Sequence, residues 1–285
     1  MLPLSIITVN LNNRDGLQKT IDSVKCQTFR DFEWIVIDGG STDGSRDLLE
    51  INASLFAYWV SEPDGGIYQA MNKGIKKASG EYCLFLNSGD FLYDKTTLAS
   101  VFASTHNESF FWGKILYEVS PGHYVQQGFD NMNFSAFELF RQSIPHQASF
   151  IRREVLLADG LYDESYRIVS DLKFFYDHII AAPSSMAGID LIISVVDGNG
   201  ISSNLEKNKI EEDRLFCQYY PQRLLHDYDD WLEMKKEIEL LHSKMSHYKQ
   251  AHAVYDSIRR HIIIRKLFTL YYKLCTRNSL SNQSE

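Results

Sequence analysis

The chain has 285 residues, 44% of them apolar and 23% charged, which fits one large α/β domain or a domain with an appendage. Its net charge of −8 argues against a general basic face for nucleic acid. Its four cysteines, Cys26, Cys83, Cys217 and Cys275, form no CxxC pair, which argues against a zinc knuckle or a redox motif.

The first hundred residues alternate strand and helix. "LSIITVNL" (4–11) is a continuous apolar strand with a polar exit. "RDGLQKTIDSVKCQ" (14–27) places Leu17, Ile21 and Val24 on one helical face. "FEWIVIDGG" (32–40) predicts a second buried strand, "LFAYWVSE" (55–62) a third and "EYCLFLN" (81–87) a fourth. Between the last two, "GIYQAMNKGIKKA" (66–78) reads as a helix with Ile67, Ala70, Met71, Gly74 and Ile75 inward. This spacing predicts βαβ crossovers and a mostly parallel sheet, buried on both faces. Beyond residue 95 the pattern loosens. "SFFWGKILYEV" (109–119) predicts a strand with "GHYVQQG" as its hairpin partner. "HQASFIRREVL" (146–156) predicts a strand running into a helix, and "SDLKFFYDHIIAA" (170–182) a helix. "MAGIDLIISVVDG" (186–198) is one long strand or a strand pair, and from about 205 the chain reads as helical.

In such sheets ligands bind beyond the carboxyl ends of the strands. The polar groups there are Asn10 and Asn12, Asp38, Glu62 to Asp64, and Asn87 to Asp90. Neither GxGxxG nor GxxxxGK[ST] follows the first strand, so both amide-built phosphate cradles are missing. An acidic rim repels phosphate unless a divalent cation lies between them. Mg²⁺ and Mn²⁺ suit that place, because magnesium-type sites use one or two carboxylates together with substrate phosphates and water. Asp90 is the candidate ligand; its alternative reading is a turn or a cap for the helix near Lys95. Asp38 offers acceptors to a nucleobase or ribose, or else serves its own turn. Ser41 and Asp43 read as capping groups.

The stretches "SIITVNLNNRDGLQKTIDSVKCQTFRDFEWIVIDGGSTDGS" and "SEPDGGIYQAMNKGIKKASGEYCLFLNSGD" resemble family 2 glycosyltransferases. The resemblance is dense over residues 4–95 and thinner to about 180, with "HQASFIRREV" and "YDESYRIVSDLKFF" as later landmarks. It implies a GT-A fold: an α/β, Rossmann-like mixed sheet that binds a nucleotide-sugar, flanked by helices and followed here by a helical C-terminal extension. The division it suggests is a catalytic domain over 1–204, with a nucleotide-sugar half (1–95) and an acceptor half (96–204), then an extension over 205–285. The resemblance also implies inverting transfer of one sugar from a nucleotide donor, with UDP as the default carrier, to a glycan or lipid-linked acceptor of a surface polysaccharide. Val9, Asn10, Asp38 and Asp64 would line the nucleotide. Asn87, Ser88 and Asp90 would form the diphosphate and metal element. Asp171 would be the general base, with Asp163 and Glu164 as its rivals.

Two positions depart from the family pattern. Asn87 and Gly89 stand where acids are common, leaving Asp90 alone, and Gln69 stands where an Asp often follows "GIY". Read from its neighbours, Asp171 is partly desolvated by Ile168, Val169 and Phe174, which would raise its proton affinity; the competing reading is a helix N-cap. His146 in "IPHQASF" is a candidate to reach the diphosphate or acceptor; its alternative reading is a structural histidine. Nucleotidyl transfer and a binding module without catalysis are the competing functions.

"MLPLSIITVN" lacks a basic leader, and no run approaches the roughly 20 apolar residues of a bilayer span, so the expected location is the cytoplasm. From Met245 onward seven Lys/Arg face two acids, Asp256 and Glu285. That aromatic, basic tail reads either as an interfacial helix on the inner membrane face or as a helix packed on protein.

Overall fold

The computed structural model describes residues 2–120, 123–128, 143–158, 160–181, 185–197, 205–219 and 230–241. Residues 1–219 make one compact unit and 220–285 another. The basic tail beyond Met245 lies outside the described residues. No described helix is long and apolar enough to cross a membrane.

The strands are β1 (Leu4–Asn10), β2 (Phe32–Asp38), β3 (Tyr58–Ser61), β4 (Tyr82–Phe85), β5 (Phe91–Leu92), β6 (Phe110–Ser120), β7 (His123–Gln127), β8 (Ser149–Arg152) and β9 (Met186–Asp197). The helices of the same unit are α1 (Arg14–Lys25), α2 (Ser45–Ile51), α3 (Ile67–Lys77), α4 (Thr97–Val101), α5 (Arg153–Ala158), α6 (Ser170–Tyr176) and α7 (Leu205–Tyr219). The strands form one sheet in the order β3-β2-β1-β4-β8-β6-β9-β5, with β7 on β6. The β3-β2-β1-β4 half is parallel throughout. From β4 onward only β6 and β9 pair in parallel, and the remaining pairings are antiparallel. The sheet is therefore mixed, not mostly parallel. The β6–β7 hairpin can join only antiparallel neighbours, and the other antiparallel pairs, β4 with β8, β6 with β8 and β5 with β9, bring together strands far apart in the chain.

β3 starts later than its apolar run because Ala53–Leu55 closes a single 3-10 turn. The stretch 186–197 is one long strand. α6 is followed by a π-helical turn, Asp177–Ala181.

Alternation along β1 divides the core. Leu4 and Ile6 join Leu17, Ile21 and Val24 of α1 in one buried cluster with Trp34, Leu48 and Leu84. Ile7 points to the other face, under α3. There Phe85 meets the Tyr162 ring at 5.3 Å, and Tyr162 meets Phe174 of α6 at 6.0 Å. This second aromatic layer carries α6 to the carboxyl edge of the parallel half.

Contact between α3 and the sheet depends on Gly74. A Cβ there would lie 2.5 Å from Cγ2 of Ile7, a β-branched side chain fully buried in a central strand. Alanine gains up to about 1 kcal/mol of helix propensity over glycine, whereas overpacking a filled core costs about 1–3 kcal/mol. The clash wins. Gly74→Ala is expected to lower unfolding stability by about 1 kcal/mol or more in urea titrations. Equal or higher stability would show that Ile7 gives way freely.

Candidate active site

The carboxyl ends of β1, β2 and β3 meet in one hydrogen-bonded knot. Asp38, the last residue of β2, has no exposed surface. Its Oδ1 accepts from Asn10 Nδ2 at 2.6 Å and from Ser41 Oγ at 2.5 Å. Its Oδ2 accepts from Ser41 N at 2.9 Å and Ser61 Oγ at 2.6 Å. Burial pushes its carboxyl pKa up, but the bonds from Ser41, Ser61 and Asn10 together outweigh that and hold it below the usual range. Of its two sequence readings, the turn-holding one is what the geometry displays. A base or ribose would reach this carboxylate only after a hydroxyl or the Asn10 amide gave way.

The loop after β1 is zipped to the loop after β2. Asn12, in left-handed backbone at φ 49°, donates its N–H to Ser41 Oγ and accepts from Thr42 N. Asp43 accepts from Arg14 N and from Ser45, and so joins the N-terminal ends of α1 and α2. Asp64 closes its own turn by accepting from Gly66 N at 3.0 Å. Its other oxygen lies so near Gly39 that a Cβ there would sit 2.9 Å from it, which places Asp64 against the Asp38 loop. The Val9 side chain is buried, and its carbonyl accepts from Ser88 N at 3.0 Å.

The turn after β4 is pinned from α1. The Thr20 hydroxyl, fully buried, donates to the Asp90 carbonyl at 2.7 Å and accepts from Gly89 N at 3.1 Å. Asn13 Nδ2 donates to the Ser88 carbonyl. Gly89 has φ 104°, a backbone region that glycine alone enters at no steric cost. α4 has no side-chain cap, so Asp90 does not cap it; the turn before it is held by Asp94, which accepts from Thr96 N and Oγ1.

Asp171 lies across from this turn, in the first turn of α6. Its Oδ1 accepts from Tyr68 OH of α3 at 2.8 Å, and its Oδ2 accepts from His146 Nδ1 at 2.8 Å. The far ring nitrogen, His146 Nε2, lies 3.2 Å from Asn87 Nδ2. Asp171, His146 and Asn87 therefore form one chain, with the Asp90 charge felt at the imidazole. The expected rise in Asp171 proton affinity is corrected: burial does push it up, but the bonds and charge of His146 and the Tyr68 bond hold the carboxyl below its usual range. Burial pushes His146 down, and the Asp171 bond and charge, with Asp90, push it up more. Tyr68, buried beside Asp171, is held well above the ordinary phenol range.

The rivals are occupied elsewhere. Glu164 accepts from Gln69 Nε2 and Asn72 Nδ2 of α3. Asp163 closes a turn with Ser165 N. Gln69, where the family pattern has an acid, ties Gly65 N to Glu164.

No three His, Cys, Asp or Glu among the described residues gather as a metal cluster. The β4 turn offers one carboxylate, Asp90, and the Asn87 amide oxygen, which is buried without a hydrogen-bond partner. An orphaned oxygen in the same turn as a carboxylate suits a cation that takes its other ligands from diphosphate and water, so these residue types fit Mg²⁺ or Mn²⁺.

Sequence reading missed Tyr68, Thr20, Ser61 and Asn72. Tyr68 and Thr20 lie on helices read only for their apolar stripes, and no motif singles them out. The one available signal was a hydroxyl on each buried face, since a buried polar group needs a partner.

A family profile, "Glycosyl transferase family 2", matches residues 5–144. The chain is 34% identical over 212 residues to an uncharacterized glycosyltransferase of Mycobacterium tuberculosis, covering 73% of this chain and 79% of that protein. It is 36% identical to a PGL/p-HBAD biosynthesis glycosyltransferase of Mycobacterium bovis over 60% of this chain and 67% of the relative. Residues 1–349 of S. aureus TarS, solved with UDP-GlcNAc, superpose with a TM-score of 0.58 at 21% identity; the match covers 70% of this chain and 59% of the TarS chain. The strand order, the knot at its carboxyl edge and these likenesses agree: the chain belongs to glycosyl transferase family 2 and has the GT-A fold.

Proposed function

We propose that this glycosyltransferase moves one sugar from a UDP-sugar to a glycan or lipid-linked acceptor in surface-polysaccharide synthesis, inverting the anomeric carbon. The observation that carries the reading is the Asp171 carboxylate, fixed from two sides and facing the β4 turn that bears Asp90. The relatives' names support a cell-envelope glycan as product, and the TarS complex with UDP-GlcNAc supports a uridine carrier. Family membership speaks against nucleotidyl transfer and against a binding module without catalysis.

In this reading the edge near Asn10 and Asp64, held rigid by Asp38, seats the nucleoside, and Ser88 and His146 face the diphosphate. Asp90, helped by Asn87, would hold a divalent ion, whose chemistry is to neutralise charge on the departing diphosphate. The acceptor oxygen attacks the anomeric carbon on the face away from the diphosphate, and the bond to the diphosphate oxygen breaks. Asp171 takes the acceptor proton as the new bond forms. Tyr68 and His146 occupy two of the carboxylate's acceptor positions and leave others for the hydroxyl. Their cost is a weaker base, and their gain is a base that is already aimed. Contact of the 245–285 tail with the inner face of the membrane belongs to the same proposal, and its test is liposome flotation with and without those residues.

Asp171→Asn keeps an oxygen for His146 Nδ1 but cannot take a proton. Its turnover is expected to fall roughly 100- to 10,000-fold, with donor affinity little changed in calorimetry. Normal turnover would remove Asp171 from the base role. EDTA is expected to stop transfer, and Asn87→Asp, by adding a second carboxylate, to lower the Mg²⁺ concentration needed for half-maximal rate. Turnover indifferent to EDTA would end the metal assignment.

A further inference from the structure

The segment leading into α6, residues 167–169, is held by a carboxylate from a remote helix. Glu211 of α7 accepts three consecutive backbone N–H groups: Arg167 at 2.9 Å, Ile168 at 2.8 Å and Val169 at 3.3 Å. Successive amides converging on one anion form a concave anion site, filled here by the chain's own side chain. α6 has no side-chain cap of its own, and the Ser170 hydroxyl is buried without a partner. Both backbone polar groups of Ile168 are held. Its N–H goes to Glu211, and its carbonyl is 2.5 Å from Tyr68 OH, the hydroxyl that also reaches Asp171. At the far end of α6, Tyr219 of α7 hydrogen-bonds Asp177, and Phe216 packs on Tyr176 with ring centroids 5.7 Å apart.

We propose that Glu211 is a positioning residue for the transfer reaction. By fixing the peptides of 167–169 it sets where the first turn of α6 begins, and so how the Asp171 carboxylate meets His146. The helix after the second half of the sheet thereby becomes part of the active-site framework. The role rests on the reading of Asp171 as the base, but the geometry it asserts can be read without turnover.

The test uses the full chain with Glu211→Ala, Glu211→Gln and, as a control on the same helix, the exposed Lys209→Ala. The first readout is the nitrogen NMR signal of the His146 ring, which reports the Nδ1 hydrogen bond to Asp171. Glu211→Ala is expected to shift it, Glu211→Gln to shift it less because one acceptor oxygen remains, and Lys209→Ala to leave it unchanged. The second readout is kinetic. For Glu211→Ala, kcat is expected to fall about 10- to 100-fold with the donor KM within about twofold, since a misplacement near 1 Å costs up to that much. Glutamine is expected to restore part of the loss. If Glu211→Ala does not fold, Glu211→Gln carries both readouts. A folded variant with an unshifted ring signal overturns the proposal, even if its melting temperature falls. A shifted signal with unchanged kcat shows a clamp that transfer does not need and overturns the positioning role, while the base reading stands or falls separately with Asp171→Asn.

Discussion

A carboxylate taken out of water must be met by donors, and that requirement organises the site around Asp171. Leaving such a charge unpaired costs several kcal/mol, whereas a hydrogen bond to a charged group returns about 1.5–3 kcal/mol. Its two donors arrive from α3 and from the 3-10 turn before β8, 103 and 25 residues away in the chain. Both can be present only when the parallel half and the antiparallel half of the sheet are docked. The site thus reports the completed fold.

The same physics gives Asp38 a different task. Four donors saturate its oxygens, and none of its surface is exposed. Its charge binds the ends of three strands and two loops into a rigid lip. Asp171 keeps 14% of its side-chain surface exposed and has two donors from neighbouring side chains. Two acids with depressed proton affinity therefore sit in unlike settings, one saturated and sealed, the other partly open with acceptor capacity to spare. Counting donors and measuring exposure separates them, and the pKa direction alone does not.

The parallel half was legible in the sequence because apolar runs, glycine turns and helical stripes recur there at regular spacing. The strand-end rule led to Asn10, Asp38 and Asp90 for a physical reason: βαβ units open their polar loops on one edge. The second half was less legible. Its strands pair over long separations, as β4 with β8 and β6 with β9, and no local period encodes such partners. For the same reason the partners of Asp171 stayed hidden. Tyr68 looks like one more aromatic on an inward stripe, and Glu211 looks like one more acid on an exposed helix. Only the folded chain shows that one reaches the Asp171 carboxylate and the other the amides before α6.

The amide at position 87 acquires a reason from its neighbour. Were Asn87 an acid, three carboxylates at 87, 90 and 171 would crowd one imidazole. An amide is neutral and two-sided. As placed, its Nδ2 faces His146 Nε2, which suits a neutral ring whose Nδ1 donates to Asp171. Should the ring gain a proton, which Asp171 and Asp90 both favour, Nε2 becomes a donor. Rotation of the amide would then present Oδ1 to the ring, and that oxygen gives up no existing hydrogen bond.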